Sequence, residues 1–463
     1  MRIRDPIHNF VELPDDLGPL VDTRVLQRLR GIRQLALANL VYPGALHTRF
    51  DHTLGVTHVA RLMANKLRVE GEELRLVTLT GLLHDTGHGP FSHVSETSLD
   101  WFGDRTVLQG DQKQHKIHEA VTAEIIRTDP ELNRLITGVE RDAVIDLLTK
   151  GHGRPVLRQI ISGPLDADKQ DYLLRDSHFC GVQYGRFDLA QLHRSLFLPS
   201  PIDDLMIDED GVHAVEQFVL AKYYMTANVY RHRVRRITDQ MIGRAIRLGI
   251  EVDRLEEMRK LYQFDGSPEF IANYLRWDDA RFFETFCPVV DPTPGLKSGA
   301  MLRRFRERKL LKEVFHDSLS QYDPRMRETL RGINKRDALI LAKIVENRVA
   351  EFLNSKLELV GERAIDPDFI IAYSYSIKSA RESARNDEES ILVRAKRSLK
   401  SPQTFDEAST LFRSIDAAYS DNFISIFAPV EWANISEKDK TRASWAEPIR
   451  ELINTEWKKS LKS

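Results

Sequence analysis

The most restrictive feature of this chain is the string Leu82-Leu83-His84-Asp85-Thr86-Gly87-His88-Gly89-Pro90-Phe91-Ser92-His93, in which an apolar run stops on an adjacent His-Asp pair. Leu76, Leu79, Leu82 and Leu83 recur at helical spacing and predict a helix from Leu74 to His84, ended by Gly87. Side chains at i and i+1 diverge by about 100° on a regular helix. His84 and Asp85 therefore reach one centre only where a helix presents its end, and Gly87 and Gly89-Pro90 supply that break. Eight of the 15 histidines fall in one stretch: His47, His52, His58, His84, His88, His93, His115 and His118. Neutral imidazole binds metals and titrates near neutrality, so this concentration suits metal binding and proton transfer. With Arg49-Phe50-Asp51-His52 before it and an Asp168-containing helical segment after it, the string predicts a metal site. Mixed imidazole and carboxylate donors suit Mn, Fe, Co, Ni or Zn better than Mg alone. His115, His47 and His58 read as structural or solvent-facing.

The rest of the sequence bounds the setting. With 463 residues the chain is too long for one ordinary core. Its 67 basic and 69 acidic residues exclude a globally basic nucleic-acid binder. Two cysteines, Cys180 and Cys287, can build neither a disulfide framework nor a cysteine zinc site. No apolar stretch approaches the roughly 20 residues that span a bilayer, and the first residues lack the apolar core of a signal peptide. The expectation is a soluble, cytoplasmic protein with no membrane partner.

Along the chain, residues 1–14 suit a strand or hairpin. Asp22-Thr23 predicts a cap for a helix through Leu26, Leu29, Ile32 and Leu35. Helices follow at about 53–69, 117–128, 140–149, 166–178 and 212–248. Residues 298–350 are charged and helical in period. Phe369-Ile370-Ile371, Ile391-Leu392-Val393 and Phe423 to Phe427 read as short strands, the first two separated by a charged loop. The expected fold is mainly α, a helical core with a smaller α+β C-terminal lobe. Its expected ranges are a catalytic domain over 1–285, a helical connection over 286–355 and the lobe over 356–463.

Five segments together resemble the HD-domain phosphohydrolases, and more closely the SAM-and-HD-domain deoxynucleoside triphosphate triphosphohydrolases and their bacterial dGTPase-like relatives. They are Asp5-Pro6-Ile7-His8, Asp22 through Leu35, Tyr42 through Gly55, Gly81 through His93 and Leu165 through Asp176. The resemblance implies an HD-domain core with His52, His84, Asp85 and Asp168 as metal ligands, and Mg accompanying the triphosphate. It implies that His88, His93 and His118 surround the α-phosphate, with His93 as general acid and Glu96, where the relative has Asp, as its carboxylate partner. Arg49, Lys169 and Lys222, the last replacing an arginine, would contact phosphates. Gln34 and Asp176 would bind the 3′-hydroxyl, Tyr172 would stack on the deoxyribose, and Leu35 and Tyr230 would crowd the 2′ position. A plain core role is the competing reading of Leu35. The implied reaction is attack of water on the α-phosphorus of a deoxynucleoside triphosphate, giving a deoxynucleoside and inorganic triphosphate.

The run Tyr230-Arg231-His232-Arg233-Val234-Arg235-Arg236 is the most basic local patch. It lacks interleaved aromatics, so a nucleic-acid surface is not the favoured reading; a solvated helix face is the ordinary one. The resemblance implies a third, in which His232 and Arg233 contact an effector nucleotide beside Val41 and Tyr42. Asp22, Gln27 and Arg30 match a guanine-reading set there, while Arg4 replaces an asparagine. Such sites at subunit contacts imply a homo-oligomer, a tetramer by analogy. One alternative, a phosphodiesterase of cyclic or signalling nucleotides, uses the same four ligands but needs less of the sugar pocket. The other, a non-catalytic nucleotide sensor or nucleic-acid-binding module on the same scaffold, has no evident need for the intact quartet and the three further histidines.

Overall fold

A computed structural model describes the chain except for residues 109–115, 150–152, 201–202, 290–293, 327–334, 359–363, 379–389, 395–401, 415–420, 433–434 and 461–463. His115 and the charged loop before Ile391 lie outside the described residues. The chain is mainly helical and its contacts divide into two compact units. Met1–Arg235, Leu255–Pro288 and Ser379–Ala418 form the first; Arg236–Arg254, Val289–Lys378 and Tyr419–Ser463 form the second. The units interleave along the chain, whereas the three expected ranges are consecutive.

In the first unit, strands Arg2–Asp5 and Asn9–Glu12 pair as an antiparallel hairpin from Arg2↔Glu12 to Asp5↔Asn9. The helix expected to reach Leu35 is shorter. It covers Arg24–Arg28, tightens into a 3-10 turn at Leu29–Gly31, and gives way to an extended Ile32. The cause is tertiary: Arg33 N–H is drawn to Asp279, 3.1 Å away, and Arg33 bridges to Thr48. Thr48 and Asp51 then form a capping box that starts the helix Arg49–Lys66. The helix Gly71–Leu83 packs beside it, with His84 at its C-cap. The helix Ala167–Cys180 also packs on Arg49–Lys66 and ends on Gly181 in the left-handed conformation. Val56, Val59, Ala60 and Met63 bury one face of Arg49–Lys66 in a core with Val77, Leu173, Phe218 and Val219.

The continuous helix expected over 212–248 is broken: Val212–Met225 opens into a wide turn at Thr226–Tyr230, and a new helix runs Arg233–Glu251. Strand Leu392–Arg394 pairs in parallel with Met206–Asp208. The Ile391–Val393 run therefore belongs to the first unit, a correction to its expected place in the C-terminal lobe.

In the second unit, Lys312–Ser318, Asp421–Ala428 and Ile371–Ile377 form a three-stranded antiparallel sheet with Asp421–Ala428 central. The first of these corrects the helical reading of 298–350. Val314 and Phe315 turn a charged segment into a strand because they meet Ile424, Ile426 and Ala428 in the core. Phe369 lies in a 3-10 turn, so the expected strand begins at Ile371. Helices Lys335–Glu358 and Ile435–Ser460 contribute Val349, Leu353, Ile449 and Trp457 to that core. Among the described residues no helix is long and apolar enough to cross a membrane.

Candidate active site

The His-Asp pair stands where a helix ends, as the sequence requires. His84 follows the last residue of Gly71–Leu83, and the turn beyond it brings Asp85 to the same point. His84 Nε2 lies 3.2 Å from Asp85 Oδ1, and His52 Nε2 lies 3.9 Å from Asp85 Oδ2. His52, His84 and Asp85 each offer a donor atom within 4.8 Å of the others. Asp168 joins through His52 Nε2, 2.9 Å from its Oδ1.

These donors fit a divalent metal. Among the described residues His84 Nε2 is buried with no hydrogen-bond partner, while His84 Nδ1 is 2.8 Å from the Gly81 carbonyl. His52 Nδ1 is likewise occupied, by Asp171 Oδ2 at 2.8 Å. Both rings thus hold Nδ1 on an acceptor and turn Nε2 inward, the arrangement metal-binding histidines adopt. Burial lowers the His52 pKa, but hydrogen bonds to Asp168 and Asp171 raise it to about 10. The carboxylates call for positive charge, which a divalent cation supplies. Burial raises Asp85, yet Arg49, His84 and His88 hold it well below the usual carboxylate range.

A second cluster adjoins the first. His88 Nε2 lies 3.2 Å from Asp85 Oδ1, and its Nδ1 lies 3.3 Å from Glu96 Oε1, outside hydrogen-bonding geometry. His93 Nδ1 and Glu96 Oε1 are 2.6 Å apart, so glutamate closes this contact from the first turn of His93–Phe102. His118 stacks on His88 at 5.0 Å, and its Nδ1 is 3.7 Å from Glu96 Oε2. The donors of His88, Glu96 and His118 also lie within 4.8 Å of one another. Burial, with Arg49 nearby, brings the His88 pKa down to about 3, and burial lowers that of His118. Burial raises Glu96, but His93 and His118 hold it well below its usual value. The His93 side chain alone is largely open, at 62% exposure.

Arg49 ties the first cluster to the loop that follows it. Its Nη1 donates to Asp85 at 2.7 Å and its Nε to Ser92 Oγ at 2.9 Å, leaving a buried Nη2 without a partner among the described residues. Phe91 and Ser92 have φ of 61° and 52°, a strained pair of non-glycine residues at the loop's turn. Asp279 holds the strain by accepting from Phe91 N–H at 2.7 Å. Arg28 donates to the carbonyls of His88, Thr86 and Trp277 at 2.7, 3.3 and 3.0 Å.

The remaining expected residues fall into two groups. Tyr172 and Tyr230 meet edge to face with ring centres 6.0 Å apart, and the Tyr230 hydroxyl donates to Asp176 Oδ2 at 2.7 Å. Gln34 is buried with an Oε1 that has no partner among the described residues, and Leu35 is buried in the core cluster. Lys169 Nζ donates to Asp166 and to the Gly163 carbonyl, whereas half-buried Lys222 stands on the helix Val212–Met225. In the other group, Arg30 Nε donates to Gln27 Oε1 at 2.8 Å and its guanidinium covers the Phe50 ring. Tyr42 meets the His232 ring at 5.9 Å; Asp22 and Arg233 are exposed and Val41 is half-buried.

Sequence reasoning missed several contributors. His47 is buried and 2.7 Å from Asp176 Oδ1. Asp171, His8 and Arg175 support His52. Asp171 follows Asp168 by three residues on one helix face, a spacing that could have flagged it.

Residues 49–176 match the HD domain and 187–352 the HD associated region. An uncharacterized Bacillus subtilis protein, YwfO, is 36% identical over 67% of this chain and 71% of its own length. The Dictyostelium discoideum deoxynucleoside triphosphate triphosphohydrolase SAMHD1 homolog is 30% identical over 67% of this chain and 59% of its own. A Bacteroides thetaiotaomicron phosphohydrolase shares the fold, with a TM-score of 0.71 at 23% identity over 92% of this chain and 99% of that one. The chain belongs to the HD-domain family, with an HD domain followed by an HD associated region.

Proposed function

We propose that the protein hydrolyses deoxynucleoside triphosphates to deoxynucleoside and inorganic triphosphate. The observation that carries this reading is the meeting of a metal-donor set, a His93–Glu96 pair and a tyrosine-lined carboxylate within one unit. His52, His84, Asp85 and Asp168 would hold the metal, with Mn, Fe, Co, Ni or Zn suited to the donors. When bound, such an ion supplies Lewis-acid charge at the phosphorus and acidifies water. The residues do the rest. Water attacks the α-phosphorus, the bond to the 5′-oxygen breaks, and His93, oriented by Glu96, delivers the proton that oxygen needs. Arg49 Nη2, His88 and His118 face the phosphate, with Lys169 and Lys222 as further cations. Gln34 and Asp176 bind the 3′-hydroxyl, Tyr172 covers the sugar, and Leu35 and Tyr230 leave no room for a 2′-hydroxyl.

Asp22, Gln27, Arg30, Val41, Tyr42, His232 and Arg233 are proposed to take an effector nucleotide between copies of the chain in a homo-oligomer. The Tyr42–His232 contact supports pairing of the two segments it joins. The test is a matrix of metals against deoxynucleotides and ribonucleotides, with products resolved by chromatography and mass followed by sedimentation. Triphosphate from dNTP is expected; orthophosphate or pyrophosphate as first product overturns the reaction. A hyperbolic activity curve without change in mass overturns the effector reading.

A further inference from the structure

The two imidazoles of the metal-donor set are supported differently. His84 leans on a carbonyl of its own helix, whereas His52 leans on Asp171, a carboxylate with no exposed surface. Asp171 serves four contacts. Oδ2 meets His52 Nδ1 at 2.8 Å and accepts from Arg175 Nε at 2.9 Å. Oδ1 meets His8 Nε2 at 2.7 Å and accepts from Arg175 Nη2 at 2.9 Å. Arg175, also fully buried, extends to Asp5 Oδ2 at 2.9 Å. Asp5 Oδ1 in turn accepts the backbone N–H groups of Ile7 and His8, each at 2.8 Å. The hairpin that opens the chain is thereby tied to the far side of the metal-donor set.

A buried ion network of this kind gives folding little over apolar packing of the same volume, because desolvation offsets the Coulomb gain. Its contacts converge instead on one ring nitrogen of one donor. We propose that Asp171 is the positioning residue of the metal centre: it fixes His52 with its proton on Nδ1, aims Nε2 at the metal, and is itself locked by His8 and Arg175. A carboxylate behind a ligating imidazole also raises its donor strength, and loss of such a partner typically weakens metal affinity about 10- to 100-fold. The helix Arg49–Lys66 is shaped for this carboxylate. Gly55, one turn beyond His52, leaves room for it; a Cβ there would lie 1.9 Å from Asp171 Oδ1.

This inference rests on the metal reading above, and the experiment separates the two. Full-length protein is titrated with Mn²⁺ or Zn²⁺ against a chromophoric chelator, with thermal unfolding recorded alongside. Asp171→Asn is expected to weaken affinity about 10- to 100-fold. Asp5→Asn, cut at the far end of the same network, should lower stability and leave affinity little changed. If both variants lose stability alike while metal binds as in the wild type, Asp171 is a core residue only and the inference is overturned. If the wild type binds no metal, or His84→Ala binds as well as wild type, the metal reading fails instead. Should Asp171→Asn not fold, histidine ¹⁵N spectra of the Zn²⁺-loaded wild type decide the matter. The His52 signal, assigned by its loss in His52→Gln, should show a protonated Nδ1 and a metal-bound Nε2; the reverse overturns the inference.

Discussion

Gly55→Ala reverses sign depending on whether the buried network is seated as described. On an open helix face, alanine in place of glycine stabilises by about 1 kcal/mol. Here the new Cβ would lie 1.9 Å from Asp171 Oδ1, 2.4 Å from Arg175 Nη2 and 2.5 Å from Asp171 Cγ. Real Cβ contacts stay beyond 3.0 Å, so Asp171 must retreat by the difference. It has nowhere to go without releasing His52, His8 or Arg175. Releasing any of them breaks a buried ion pair, at a cost of about 3–5 kcal/mol. After the helix-propensity gain, a net loss of about 2–4 kcal/mol is expected, within the range of named single-residue mechanisms. Urea unfolding followed by circular dichroism, compared at equal m-value, measures it. A variant as stable as the wild type, or more stable, would mean that Asp171 is not locked against this helix face.

Glu96→Gln should lower turnover by about 10²–10⁴-fold, the usual worth of positioned acid–base catalysis, while metal affinity holds; unchanged turnover removes Glu96 from the proton path. Arg28→Ala strips three donors from the carbonyls of Thr86, His88 and Trp277 and should destabilise by about 1–3 kcal/mol, read as a shifted urea midpoint. Burial depresses His58 and His193 to about 4 from the ordinary 6.5. Neutral in the folded chain, they contribute stability that is present above pH 6.5 and lost as pH falls toward 4; urea midpoints between pH 7 and 4 should therefore decline, and a flat profile contradicts this. Chelation of the metal should stop hydrolysis and lower the melting temperature, since ligand binding to the folded state alone stabilises it; scanning calorimetry with and without chelator checks this.

Local pattern foretold the parts of the site that local rules build. The helix that ends at the His84 cap and the break after it are sequence-near events, and the structure has both, whereas the helix expected from about Thr53 begins earlier, at Arg49, on the Thr48–Asp51 capping box. The same rules failed where a distant partner intervened. Asp279 draws Arg33 out of a helix, and the strand Lys312–Ser318 forms because Asp421–Ala428 offers it a ladder and a core. Ile391-Leu392-Val393 read correctly as a strand, but its partner Met206–Asp208 lies far upstream.

The sequence alone determined the donor chemistry: the number and kind of imidazoles and carboxylates and their placement at helix ends are properties of residue type and short spacing. The tertiary structure alone decided the orientation of those donors. Which nitrogen of His52 faces inward depends on Asp171, Arg175, Asp5 and His8, which lie up to 170 residues apart. A histidine's two nitrogens are chemically alike until something occupies one of them. That occupant arrives only with the fold, because a buried carboxylate finds its counter-charge across the core and not along the chain.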